Sequence, residues 1–152
     1  MTDFIKLKEK LLGACEDYAN DRIDAIQGAI LSAKQGAFEE NKSSAGDKYE
    51  TGRAMMHLEI ENQTAQLSEA QRLAREVKQI KLKSYDTVRS GSLVITNQGN
   101  YFMSIGAGRI EVNGDDYFAV GIQSPIGQQL MGCRTGDKFE LNGRPFSITN
   151  IY

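Results

Sequence analysis

Ser43-Ser44-Ala45-Gly46-Asp47-Lys48-Tyr49-Glu50 is a short polar stretch with turn-forming residues, set between two long segments of helical period. From Phe4 to about Lys83 there is no proline, and glycine occurs only at 13, 28, 36, 46 and 52. In the segment before the stretch, Ile5, Leu12, Ala19, Ile26 and Ala33 recur every seven residues, with Cys15, Ile23, Ile30 and Ala37 at intermediate steps. In the segment after it, Ile60, Leu67 and Ala74 form one series and Met56, Gln63, Ala70 and Val77 the other. Each is a narrow apolar seam on an otherwise polar helix. Two such helices on a short connection must run antiparallel, so the stretch predicts the turn of a helical hairpin. Arms of about 35 residues at 1.5 Å each give a rod roughly 50 Å long. The same seams would also serve a compact bundle, or a symmetric dimer in a structural coiled-coil adaptor.

The composition changes near residue 90. From Gly91 onward glycines are frequent, and both prolines, Pro125 and Pro145, occur there. Ser92-Leu93-Val94-Ile95-Thr96 and Tyr101-Phe102-Met103-Ser104-Ile105 flank a turn at Asn97 to Asn100, which predicts a hairpin. Arg109 to Val112 and Tyr117 to Ile122 flank Asn113-Gly114, and Lys138 to Leu141 and Pro145 to Thr149 flank Asn142-Gly143. Asn-Gly supplies the two positive φ angles of a tight hairpin turn. Ser124-Pro125 opens a short helix, serine capping the free N–H groups and proline taking the first position, and Gly132 is placed to end it. The expected fold class is α+β: an antiparallel helical hairpin over 1–83 with its tip near 41–50, a linker over 84–90, and a small sheet domain with one short helix over 91–152.

Charge narrows the function classes. Lys and Arg total 18 against 20 Asp and Glu, a net charge of −2. That balance supplies no basic surface for duplex DNA and argues against sequence-specific DNA binding. Cys15 and Cys133 have neither metal-ligand nor Cys-x-x-Cys spacing, so two free thiols in a reduced, cytoplasmic setting are expected. The first residues do not read as a secretory leader, and no apolar run is long enough to span a membrane.

Two motifs carry a family resemblance. Ser124-Pro125-Ile126-Gly127-Gln128-Gln129-Leu130-Met131-Gly132, followed by Gly136-Asp137-Lys138-Phe139-Glu140, is similar to the signature of the C-terminal domain of the bacterial Gre transcript-cleavage factors. Gly46-Asp47-Lys48-Tyr49-Glu50 resembles the Gly-Asp-x-x-Glu tip of their coiled coil, so the resemblance spans essentially the whole chain. It implies an FKBP-like sheet domain that docks at the rim of the RNA polymerase secondary channel, through Ser124, Pro125, Ile126 and Gly127. It also implies a hairpin reaching the catalytic centre, where Asp47 and Glu50 would stimulate the polymerase to cleave backtracked RNA. Contact with the nascent RNA would be indirect, and the protein would not be a free-standing enzyme.

Carboxylates three apart lie on one helical face with Cβ atoms about 5–6 Å apart, so Asp47 and Glu50 can approach one cation together but cannot close its shell. Mg²⁺ is commonly held by one or two carboxylates with waters and substrate phosphates. A Mg²⁺ shared with the polymerase is therefore the expected cofactor, with Asp47 as leading ligand and Glu50 as second ligand or water-orienting group. The same spacing has the form of a capping box. The chain departs from the family pattern at Lys48 and Tyr49, where small or polar residues are usual, and a cation beside the pair works against metal recruitment. The alternative is a Gre-fold regulator that occupies the channel and modulates or inhibits transcription without cleavage.

Tyr49 and Arg53 are candidate contacts to RNA or polymerase at the tip. An aromatic near a helix start is more often packed against the opposing arm, which is the favoured reading of Tyr49, and Arg53 equally suits an exposed solubilising role. His57 has no partner at ligand spacing and reads as helix surface; Gly106-Ala107-Gly108 is too short for a phosphate loop and reads as a bend. A prolyl isomerase, suggested by the FKBP-like fold, lacks an evident aromatic-lined pocket.

Overall fold

The computed structural model describes the backbone of residues 3–42 and 47–152, and the side chains of those residues outside 37–50. Helix α1 spans Phe4–Lys42 and α2 spans Asp47–Gln79. Six strands follow: β1 (Leu93–Thr96), β2 (Gly99–Ser104), β3 (Gly108–Val112), β4 (Asp115–Gly121), β5 (Lys138–Leu141) and β6 (Arg144–Ile151), with α3 (Pro125–Leu130) between β4 and β5. The expected α+β architecture, a helical hairpin followed by a small sheet domain with one short helix, is the one found. The chain divides into two compact units, one of Met1–Tyr18 with Arg75–Tyr152 and one of Ala19–Ala74.

In the unit Ala19–Ala74 the sequence seams are the partly or fully buried positions. Ala19 and Ile26 are buried on α1, with Ile23, Ile30 and Ala33 half-buried; on α2, Ala70 is buried and Met56, Ile60, Gln63, Leu67 and Ala74 are half-buried. Gly36 lies opposite Met56: a Cβ at residue 36 would sit 2.8 Å from the Met56 Cε. Arg72, by a hydrogen bond, and Arg22 across the seam help hold Glu69 below the usual carboxylate range. Residue 36 facing 56, and residue 22 near 69, is the register of an antiparallel pair. Gly13 and Gly28 meet nothing within 4 Å, and no contact explains their place in the helix.

In the other unit the first turns of α1 lie with the sheet. The Phe4 ring stacks on Tyr152 at 3.5 Å, and Leu7, Leu11 and Cys15 are buried. The Cys15 thiol sits beside Ser104 and Ile105, where burial raises its pKa. Strand order is β3-β4-β2-β1-β6-β5, antiparallel except for β2 and β4, which pair in parallel from Tyr101↔Phe118 to Ser104↔Gly121. The two Asn-Gly turns behave as their sequence predicts, with φ of 54° and 85° at Asn113 and Gly114 and 53° and 77° at Asn142 and Gly143. Val88, Val94, Met103, Leu130 and Ile148 form the core beneath α3.

The helical period runs to about Lys83 in sequence, but α2 ends at Gln79. Residues 80–91 instead form a strap tied to the sheet. The Val88 N–H donates to the Cys133 carbonyl at 2.9 Å, the Gly132 N–H to Val88 at 2.9 Å, and the Gly91 N–H to Met103 at 2.7 Å. Gly91, at φ 92°, is pressed so close that a Cβ would lie 2.8 Å from the Lys81 carbonyl oxygen.

Candidate functional site

Two places carry the expected chemistry: the end of the hairpin and the first turn of α3. At the hairpin end, α1 stops at Lys42 and α2 starts at Asp47, so Asp47 and Glu50 fall in the first turn of α2. Residues 43–46, where the sequence predicts a turn, and the side chains of Asp47, Lys48, Tyr49 and Glu50 lie outside the described residues, as do the capping box and the Mg²⁺ ligand set expected there. Among the described residues no group of three or more His, Cys, Asp or Glu is placed to hold a metal. Arg53 and His57 are exposed on α2.

The α3 turn is fully described. Ser124 takes an extended φ/ψ of −67° and 158°, and its Oγ accepts the Gly127 N–H at 3.0 Å. The same hydroxyl donates to the Gly121 carbonyl at 2.7 Å, and the Ser124 N–H donates there too at 3.2 Å. Pro125 occupies the first turn, where no intrahelical N–H is needed. Gly127 is buried, and a Cβ on it would fall 2.0 Å from the Gly121 oxygen. So Ser124 and Gly127 are explained by the fold, which brings α3 directly onto the end of β4. Pro125 is exposed, and Ile126 is half-buried against the core. Replacing Ser124 by Ala removes the cap and should cost about 1 kcal/mol; an unchanged urea midpoint would show that the cap contributes nothing.

Gly136 and Asp137 close the turn into β5. Gly136 has φ 94°, Asp137 Oδ2 accepts the Arg134 N–H at 2.8 Å, and Gly136 N–H and Asp137 carbonyl each bond to Ile148 of β6, at 2.8 and 2.9 Å.

A third place was not singled out by the sequence. A cleft of about 430 Å³ opens between the last turn of α2, the strap and the ends of β2 and β4, lined by Glu76, Ile80, Lys81, Lys83, Arg89 and Ile122 among others. Beside it Lys8 is fully buried, its Nζ donating to the Lys83 carbonyl at 2.6 Å and lying 5.0 Å from the centre of the Tyr85 ring. Burial lowers its pKa to about 8. The sequence signal is its position, one heptad before Cys15, which puts a lysine on the buried side of α1.

The architecture is thus that of a long two-helix hairpin joined to a six-stranded mixed sheet capped by one short helix. It is similar to two solved structures of one protein. One, GreA factor homolog 1 (Gfh1) of Thermus thermophilus, shares 16% identity over 90% of this chain and 94% of that chain, with a TM-score of 0.38. The other, of the transcription factor Gfh1, shares 16% identity over 91% of this chain and 94% of that one, also with a TM-score of 0.38. No protein-family model and no curated protein matches the chain.

The functional expectation is corrected here. The solved likenesses are to Gfh1, described as a GreA factor homolog and as a transcription factor. Stimulation of the polymerase's hydrolytic activity by Asp47 and Glu50 is set aside in favour of the regulator alternative. In sequence Lys48 directly follows Asp47, and a cation beside a pair of acids works against recruitment of a divalent metal.

Proposed function

We propose that this chain is a regulator of bacterial RNA polymerase that acts in the cytoplasm by occupying the secondary channel, modulating or inhibiting transcription without supporting cleavage. The observation that carries the reading is the hairpin: antiparallel helices of 39 and 33 residues, the second opening directly on Asp47. Ala19–Lys42 alone extends about 36 Å at 1.5 Å per residue. Such an arm suits insertion into a channel. The sheet domain would dock at the rim with the exposed Pro125 and the neighbouring Ile126, while Ser124 and Gly127 hold the turn that presents them. Tyr49 and Arg53 would face polymerase or RNA near the tip, where Lys48 opposes metal recruitment by the acids.

The test uses stalled, backtracked and actively elongating complexes of the cognate polymerase with the full chain. Wild type is expected to bind and to slow elongation several-fold, leaving RNA in the backtracked complex at full length. Failure to bind removes the proposal altogether, and RNA shortening above the polymerase's own rate restores cleavage in its place.

A further inference from the structure

The cleft beside the strap concentrates positive charge on a chain whose net charge is −2. Lys81, Lys83 and Arg89 line it against one carboxylate, Glu76. Among the described residues no ion pair is seen for these three cations, whereas Arg72 pairs with Glu69, and Arg109 with Glu111 and Asp116. Lys8 adds a fourth cation behind the wall. Its Nζ and the Arg89 guanidinium lie 5.0 and 4.9 Å from the same Tyr85 ring. Like charges gathered in one place repel, and a cleft with an excess of one sign focuses the field on a counter-ion.

The walls are held in place before any ligand arrives. Tyr85 Oη donates to the Lys81 carbonyl at 2.9 Å, Lys8 Nζ takes the Lys83 carbonyl, and Gly91 lets the strap turn back against Lys81. The lining is also partly apolar: Ile80 is half-buried, and Ile122 is 40% exposed, an unusual place for a large aliphatic side chain amid lysines. The volume falls within the range of small-molecule sites, about 300–1,000 Å³.

We propose that this cleft binds a small organic phosphate, its phosphoryl group held by Lys81, Lys83 and Arg89 and its apolar body resting on Ile80 and Ile122. Arginine and lysine donate charge-assisted hydrogen bonds to phosphoryl oxygens, and the isoleucines favour an ester over the free ion.

Phenyl phosphate and inorganic phosphate, each titrated into the full-length protein and followed by backbone amide shifts, test this. Phenyl phosphate should saturate, with shifts confined to residues 76–91, Ser104 and Ile122, and should bind more tightly than inorganic phosphate. The double variant Lys83→Gln/Arg89→Gln, whose sites are exposed, should weaken binding by about tenfold or more, while Lys34→Gln on the exposed surface of α1 should leave it unchanged. Shifts that fail to saturate, that spread over surface lysines, or that persist undiminished in the double variant overturn the site. Equal affinity for the two probes overturns the organic ligand.

Discussion

Gly127→Ala should lower the unfolding free energy by about 3 kcal/mol, at the upper end of what overpacking usually costs, and reduce the melting temperature by on the order of 6–12 °C. The methyl group would be built 2.0 Å from the Gly121 carbonyl oxygen, a backbone atom that cannot rotate away. Relief requires α3 to lift off β4. Lifting it strains the Ser124 cap, since the Ser124 hydroxyl joins the Gly127 N–H to that same carbonyl. Leu130 is fully buried on the core side of α3, so the displacement also opens the core around Val94 and Ile148. Gly132→Ala is the control. There φ is 81° but nothing lies within 4 Å of the added carbon, so only the left-handed backbone penalty of about 1–2 kcal/mol applies. Thermal unfolding of both variants, followed by tyrosine near-UV dichroism, separates contact from conformation. A Gly127→Ala protein no less stable than Gly132→Ala would show that the close approach is not maintained in solution.

The two halves of the chain were legible in sequence to different depths, for physical reasons. A seam repeating every seven residues specifies a helix pair almost by itself, because the period fixes which positions meet; Met56, Ile60, Gln63, Leu67 and Ala70 all lie on the buried side as read. Asn-Gly specifies its turn through the backbone alone, and both such turns formed. The parallel pairing of β2 with β4 was not legible, since no local pattern in Gly99–Ser104 or Asp115–Gly121 distinguishes a parallel neighbour from an antiparallel one. Nor was the strap: its polar residues read as a connector, while its order comes from Val88, buried to 1%, and from partners more than forty residues away. The α3 motif was legible as a cap, but the reason for glycine at 127 is a carbonyl six residues back that only the folded chain brings there.

The stability of the wild-type protein, measured against Lys8→Met, should rise by about 2–3 kcal/mol between pH 7 and pH 10.5. Lys8 is fully buried, and burial lowers its pKa from 10.5 to about 8. Below pH 8 both folded and unfolded chains carry the proton, and the folded state bears the whole cost of a desolvated ammonium, which the Lys83 carbonyl and the Tyr85 ring offset only in part. Between 8 and 10.5 the unfolded chain holds a proton that the folded chain has released, so stability increases with pH across that window. Each pKa unit corresponds to about 1.4 kcal/mol, and residual solvation of the ammonium reduces the total. Cys15 works in the opposite direction: burial raises its thiol pKa, so above its ordinary value of 9.0 the unfolded chain loses a proton first and stability falls. Both proteins contain Cys15, Tyr101 and Tyr117, whose shifts therefore cancel in the comparison. Urea midpoints at pH 7, 8.5 and 10 supply the measurement. A constant difference between the two proteins would mean that Lys8 keeps an ordinary pKa and reaches water; a difference that grows only above pH 8 places an unneutralised cation in the protein interior.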